Sequence, residues 1–225
     1  MVPDWLLPLL PALVFFGASA FYAALDALGL WRAHRVYARA RDERVIWPRV
    51  LAIQAITTGV SLANHWATGA GDDAGAAESA ALGAARFACG MLCLDTVQFW
   101  SHYALHSRAL FARFHAVHHR LARPRAFAAF YNSYAEGVLL DIASALVTQR
   151  VCGLSARLFG GLVALATAKA VCDHSGYVLP WDPLAWFPNN AAYHAVHHAP
   201  RTWRFNYQQP FFTFWDRAMG TALSR

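Results

Sequence analysis

The chain has 225 residues, 57% of them apolar and only 14% charged, where a soluble globular domain runs about 45–50% and about 25%. That balance argues against a soluble enzyme, a disordered tail or a nucleic-acid module, and for a membrane protein long enough to bury a sizeable core. The formal charge of +6 does not point to nucleic acid: 18 of the 19 basic residues are Arg, only Lys169 is Lys, and they cluster between apolar stretches, as in the inside loops of a membrane protein.

Residues 5–30 are apolar for long enough to cross a bilayer, for which about 20 residues suffice. Ala18-Ser19-Ala20 resembles a signal-peptidase site, but Asp4 stands where a basic n-region belongs, so the segment reads as a retained anchor. A polar loop follows with Arg32, Arg35, Arg39, Arg41, Arg44 and Arg49. Residues 50–66 form a second apolar run, leading to a Gly/Ala/Asp loop with Asp72, Asp73 and Glu78 and no basic residue. A third run, 80–100, delivers the chain to Arg108, Arg113, Arg120, Arg123 and Arg125. Basic, acidic, basic is the alternation that successive sides of a membrane give, with the basic side cytoplasmic.

Runs 138–151 and 158–171 are short for independent spans. Joined by Cys152-Gly153-Leu154, they read as a hairpin entering the bilayer or as two tilted helices. The tail from Asp173 carries Arg201, Arg204, Arg217 and Arg225 and so belongs on the cytoplasmic side. Cys89, Cys93, Cys152 and Cys172 contain no C-x-x-C pair and read as packing residues. The expected architecture is all-α and integral to the membrane: one domain over 1–225, about four to five membrane helices, the first of them within 1–85, and a histidine-rich helical cap on the cytoplasmic side.

Nine of the eleven histidines lie between residues 102 and 198. His102 and His106 are four apart and share a helical face. His115, His118 and His119 form H-x-x-H-H, and His194, His197 and His198 repeat that motif 79 residues later. Eight imidazoles on three faces, with His174 nearby, suffice for two metal ions, although imidazole suits Fe, Zn, Cu and Ni alike. A solvated, pH-sensitive face explains neither the repeated spacing nor its place beside apolar runs. His34 and His65 lie outside the cluster and read as ordinary loop or interface histidines. H-E-x-x-H is absent, and Glu43, Glu78 and Glu136 are not placed as the Glu-x-x-His pairs of soluble di-iron bundles.

Asp173-His174-Ser175-Gly176-Tyr177, Asn189-Asn190-x-x-Tyr193-His194-x-x-His197-His198 and Asn206-x-x-Gln209-Pro210-Phe211-Phe212-x-x-Trp215-Asp216-Arg217 resemble the fatty acid hydroxylase / sterol desaturase superfamily. Within it the likeness is greatest to the sphingoid-base carbon-4 hydroxylases. Asp95, Gln98, His102, His106, the first H-x-x-H-H with Arg120 and Leu121, and Tyr131-Asn132 through Glu136-Gly137 match in order. The likeness covers residues 90–222, the expected catalytic region, and leaves the first 85 unplaced. Departures are Ser133, where the family has His, and His-Tyr-Ala-Leu-His as the first motif.

The resemblance implies a membrane-bound non-haem di-iron monooxygenase acting on a long-chain lipid, with a sphingoid base or ceramide favoured. A sterol, fatty acyl or carotenoid substrate on the same site is the alternative, and a non-enzymatic membrane metal-binding protein the remote one. The metal shell would be histidines 102, 106, 115, 118, 119, 174, 194, 197 and 198, holding two iron ions, or zinc in purified protein, with dioxygen as co-substrate. No nicotinamide fingerprint or room for a haem domain is present, so electrons would come from a separate b-type cytochrome, ferredoxin or reductase. Asp95, two turns before His102, would either accept from a ligand's second ring nitrogen or pair with Arg86. Asn190 would hold a metal-bound water. Arg120, Arg201, Trp203 and Arg204 would meet the substrate's polar head, or touch anionic lipid as an interfacial belt. Frequent Ala and Arg point to a bacterial inner membrane; a eukaryotic source would mean the endoplasmic reticulum.

Overall fold

Local capping chemistry sets most of the helix ends. The computed structural model describes residues 3–38, 46–68 and 78–223; Arg39, Arg41, Glu43, Arg44, Asp72, Asp73 and Arg225, invoked above, lie outside them. Helix α1 (Leu10–Leu28) continues a 3₁₀ stretch, Asp4–Leu9, and stops at Gly29, whose φ of 66° is the left-handed cap that glycine adopts most easily. Helix α2 (Trp47–Ala67) opens on Pro48, whose missing N–H costs nothing in a first turn. Helix α3 (Ala80–Leu105) starts at Ser79, whose hydroxyl accepts from Leu82 N at 3.2 Å. The third apolar run thus extends to the first two histidines, with His106 as the C-terminal cap.

A single helical turn, α4 (Arg108–Leu110), runs into a π-helical segment ending at His115. A second turn, α5 (Tyr134–Glu136), leads through a π-helical stretch, Gly137–Ala143, into α6 (Ser144–Cys152). Gly153, at φ 57°, ends that helix, and Ser155 caps α7 (Ala156–His174), so the two apolar runs form two helices joined by a short turn, each packing on α3. Helix α8 (Ala191–His198) and the short α9 (Phe214–Ala218) complete the described chain, which is helical apart from turns and one isolated bridge between Arg35 and Tyr177.

Helix α1 packs along α7, and α3 along α6. One core cluster joins Phe15, Tyr22 and Leu25 of α1 to Val50 and Ile53 of α2, Phe130, Val171 and Tyr177; a second joins Leu94 to Leu154, Leu162 and Phe211. Gly90 lets α3 approach the α6–α7 turn closely, since a Cβ there would lie 3.0 Å from a Leu162 methyl and 3.2 Å from a Leu154 methyl.

The stretches Asp4–Leu28 and Ala80–Leu105 are long and apolar enough to cross a membrane. Helix α2 has the length but is more polar, and it turns that polarity inward. Gln54 and His65 are buried while Leu51, Ile56 and Trp66 face outward. The two ends of the bundle are pinned differently. At the histidine end Arg35 pairs with Asp26, and both contact the Tyr177 hydroxyl. At the far end Arg157 pairs with Asp4 at 2.6 Å and Arg86 with Glu78 at 2.7 Å.

Candidate metal centre

The nine histidines converge from five pieces of chain: the end of α3, the π-turn, the 3₁₀ turn His118–Arg120, the end of α7, and α8. They sort into two groups whose ring nitrogens lie within 4.8 Å of one another, His102, His106, His115, His119 and His197 in one, His118, His174, His194 and His198 in the other. Each H-x-x-H-H motif is divided between them. Its i and i+4 rings go to one group and its i+3 ring to the other, so the two motifs clasp reciprocally.

The ring orientations are fixed from behind. Nδ1 of His102 donates to the Tyr207 carbonyl at 2.7 Å, that of His174 to Ala170 at 2.7 Å, that of His197 to Phe205 at 2.8 Å and that of His198 to Leu121 at 3.1 Å. Nδ1 of His115 donates to Glu136 Oε1 at 2.7 Å. With the proton held at Nδ1, each Nε2 presents a bare lone pair. The two tethered rings His102 and His115 face each other at 2.9 Å, and the Nε2 atoms of His119 and His194 approach tethered rings at 3.0 Å for His115–His119 and 3.1 Å for both His174–His194 and His194–His198.

Lone pairs pointed together at such distances repel unless a cation lies among them. Metal–nitrogen bonds of about 2.1 Å at right angles place neighbouring nitrogens about 3.0 Å apart, so the gaps suit a metal ion. His197 Nε2, buried and without a hydrogen-bond partner, supports the same fit. Burial, reinforced by the neighbouring rings, holds His115, His119, His194, His197 and His198 well below the usual imidazole range, and burial pushes His118 down to about 4. They are therefore neutral near pH 7, the form that ligates metal.

The supporting polar groups differ from those expected. Asp95 is fully buried and meets neither a ligand ring nor Arg86, which pairs with Glu78. Its carboxylate accepts from Phe211 N at 3.0 Å, Phe212 N at 2.7 Å and Gln208 Nε2 at 3.1 Å, anchoring the segment whose Tyr207 carbonyl holds His102. Asp216 grips the same segment, accepting from Tyr207 N, Gln208 N and the Tyr193 hydroxyl at 2.8–2.9 Å. Asn190 caps α8 instead of facing a metal-bound water: its Oδ1 accepts from Ala192 N and Tyr193 N, and its Nδ2 donates to the Ala185 carbonyl. Ser133, in the place of a family histidine, caps α5 by accepting from Glu136 N.

One wall of the centre opens into a cavity of about 130 Å³ running between α1, α2, α3, α6 and α7. His102, His115, His118, His174 and His194 line its end, and Pro8, Leu94, Leu146, Phe159 and Val163 are among its apolar walls. Arg120, Arg201, Trp203 and Arg204 do not line it. The three arginines are exposed. Trp203 packs on Phe111 with ring centroids 4.1 Å apart and covers His106 at 5.6 Å, so it closes the opposite face of the centre.

Sequence reasoning passed over Glu136, whose only signal was being a lone glutamate within a matched motif. The carbonyls of Tyr207, Phe205, Leu121 and Ala170 carry no side-chain signal at all.

Residues 87–221 match the fatty acid hydroxylase family. Sphinganine C4-monooxygenase 2 of Arabidopsis thaliana is 35% identical over 223 residues, covering 95% of this chain and 85% of that protein. The likeness therefore reaches well into the first 85 residues, which the motifs alone had left unplaced. The sphingolipid C4-hydroxylase of Saccharomyces cerevisiae is 42% identical over 142 residues, 62% of this chain and 41% of that protein. Methylsterol monooxygenase 1-1 of Arabidopsis thaliana is 32% identical over 129 residues, 56% of this chain and 43% of that protein. No solved structure matches.

Proposed function

The chain belongs to the fatty acid hydroxylase family, and from that premise we propose that it is a membrane-embedded di-iron hydroxylase of a long-chain lipid, a sphingoid base or ceramide oxidised at carbon 4. One observation carries the proposal: two groups of neutral imidazoles, with Nε2 lone pairs converging, stand at the end of an apolar cavity inside a helical bundle. The four- and five-histidine groups would each hold one iron. Bound iron supplies the dioxygen chemistry needed for an unactivated C–H bond, which no side chain can attack.

The reaction balances as one C–H bond converted to C–OH by one atom of dioxygen. The other atom leaves as water, with two electrons and two protons drawn from a separate b-type cytochrome, ferredoxin or reductase. The protein's part is positional. Five ring N–H groups tied to carbonyls and to Glu136 keep the nitrogens aimed. Phe111 and Trp203 shield the outer face from water, and the cavity walls lay an alkyl chain against the inner one.

The bundle's surface supports a multi-pass reading. Large apolar side chains such as Leu13, Phe16, Leu51, Ile56, Leu92 and Val147 point outward while polar ones turn in, so α1, α2, α3 and α7, with the shorter α6, would cross the bilayer. Among the described arginines only Arg86, Arg150 and Arg157 belong to the far half, which favours a cytoplasmic histidine end. The test is expression in cells fed labelled long-chain base, with mass spectrometry for a product heavier by one oxygen. Absence of such a product from sphinganine, ceramide, sterol and fatty acid, in cells where the protein holds iron, would overturn the assignment.

A further inference from the structure

Asn132, Glu136 and Asp141 line the cavity alongside His115 and His118. Glu136, 1% exposed, gives one oxygen to the His115 ring; its Oε2 is buried and accepts no hydrogen bond. Asp141 lies in the π-helical stretch before α6, and its hydrogen-bond partner is Asn132, whose Nδ2 donates to Oδ2 at 3.3 Å. Among the described residues no Lys or Arg lines the cavity. A carboxylate inside a membrane bundle is costly and calls for a partner, and here the described residues supply an amide and no cation.

The complement of that wall is a ligand group that donates hydrogen bonds and carries positive charge. We propose that Asp141 is a specificity-determining residue that holds the ammonium group of an amino-alcohol lipid, with Glu136 Oε2 accepting from a hydroxyl beside it. This rests on the hydroxylase reading above and deepens it. Anchoring the head on the wall next to His115 and His118 fixes which carbon, a few bonds along the chain, faces the metal centre, while Leu94, Leu146, Phe159 and Val163 take the remaining alkyl length. A carboxylate or phosphate head would find no cation among the described residues of the same wall.

The test uses the metal-loaded full chain with an electron donor and three substrates: a long-chain 2-amino-1,3-diol, the analogue with hydroxyl in place of the amine, and the N-acyl derivative. Wild type is expected to favour the amine at least tenfold in kcat/KM. Asp141→Asn is expected to raise KM for the amine at least tenfold, spread oxidation over neighbouring carbons, leave metal content unchanged, and abolish the preference. Equal kcat/KM for amine and hydroxyl analogue in wild type would overturn the proposal without any variant, as would an Asp141→Asn protein with unchanged KM and preference; both outcomes leave the hydroxylase reading standing. A wild type that oxidises none of the three, yet is thermally stabilised by the amine only when Asp141 is present, would overturn the hydroxylase reading and uphold the Asp141 site.

Discussion

Replacing Asp95 with Ala tests whether a residue that touches no metal-binding ring nevertheless holds the centre in place. The substitution strands three buried donors, Phe211 N, Phe212 N and Gln208 Nε2, which now lie 2.7–3.1 Å from its carboxylate. Each donor left unmet in a dry interior costs about 1–3 kcal/mol. After local relaxation a total of about 3–6 kcal/mol is expected, a large share of a typical stability of about 5–15 kcal/mol. At about 2–4 °C per kcal/mol for a chain of this size, the unfolding midpoint in detergent should fall by at least about 6 °C. Asp95→Asn keeps one accepting oxygen and should lie between wild type and Ala. The loosened segment carries the Tyr207 carbonyl that orients His102, so metal should be lost first from the five-histidine group. Thermal unfolding and metal content per chain are read on the same samples. An Asp95→Ala protein with wild-type metal content and a midpoint within about 2 °C would refute the reasoning.

His118→Ala, which removes a ring from the four-histidine group, should abolish lipid oxidation and lower metal content; full metal occupancy by elemental analysis would show that the ligand assignment is wrong. Glu136→Ala should weaken metal binding by about 10- to 100-fold, as loss of a partner to a ligand's second nitrogen does, whereas Glu136→Gln, which keeps an accepting oxygen for His115, should have a smaller effect in a competition titration with a chelator. Asn190→Ala should lower stability by about 0.5–2 kcal/mol through loss of the α8 cap while leaving metal content unchanged. Stripping the metal with a chelator should lower the unfolding midpoint in proportion to affinity, because the ion binds the folded histidine cage and not the unfolded chain.

The helices and the ligand set were legible for different reasons. Apolar run length marked α1, α3, α6 and α7, and a spacing of three and four residues marked the rings that make up the two groups. Periodicity could not show that the motifs exchange their middle histidines, because that depends on how α8 lies against the 3₁₀ turn His118–Arg120. Asp95 was legible as a buried carboxylate needing a partner, but its partners are two backbone amides 116 and 117 residues away and the Gln208 side chain, a pairing that leaves no mark in sequence. Asn190 stands beside a metal-site motif yet serves the ordinary task of capping a helix, as does Ser133 in the place of a family histidine. The four residues assigned to a substrate head group were placed by proximity in sequence to the histidines, and the fold sets Trp203 on the other face of the centre and leaves the three arginines exposed outside the cavity.

Of the five histidine rings anchored at Nδ1, four are held by main-chain carbonyls and only His115 by a side chain. A carbonyl belongs to every amino acid, so substitutions at Tyr207, Phe205, Leu121 or Ala170 that preserve the backbone path leave those four tethers in place. Selection can therefore redraw the cavity walls through α2, α6 and α7 with little disturbance to the oxidising machinery beside them. The mutational freedom of such a scaffold lies in what it oxidises, and its constraint in how.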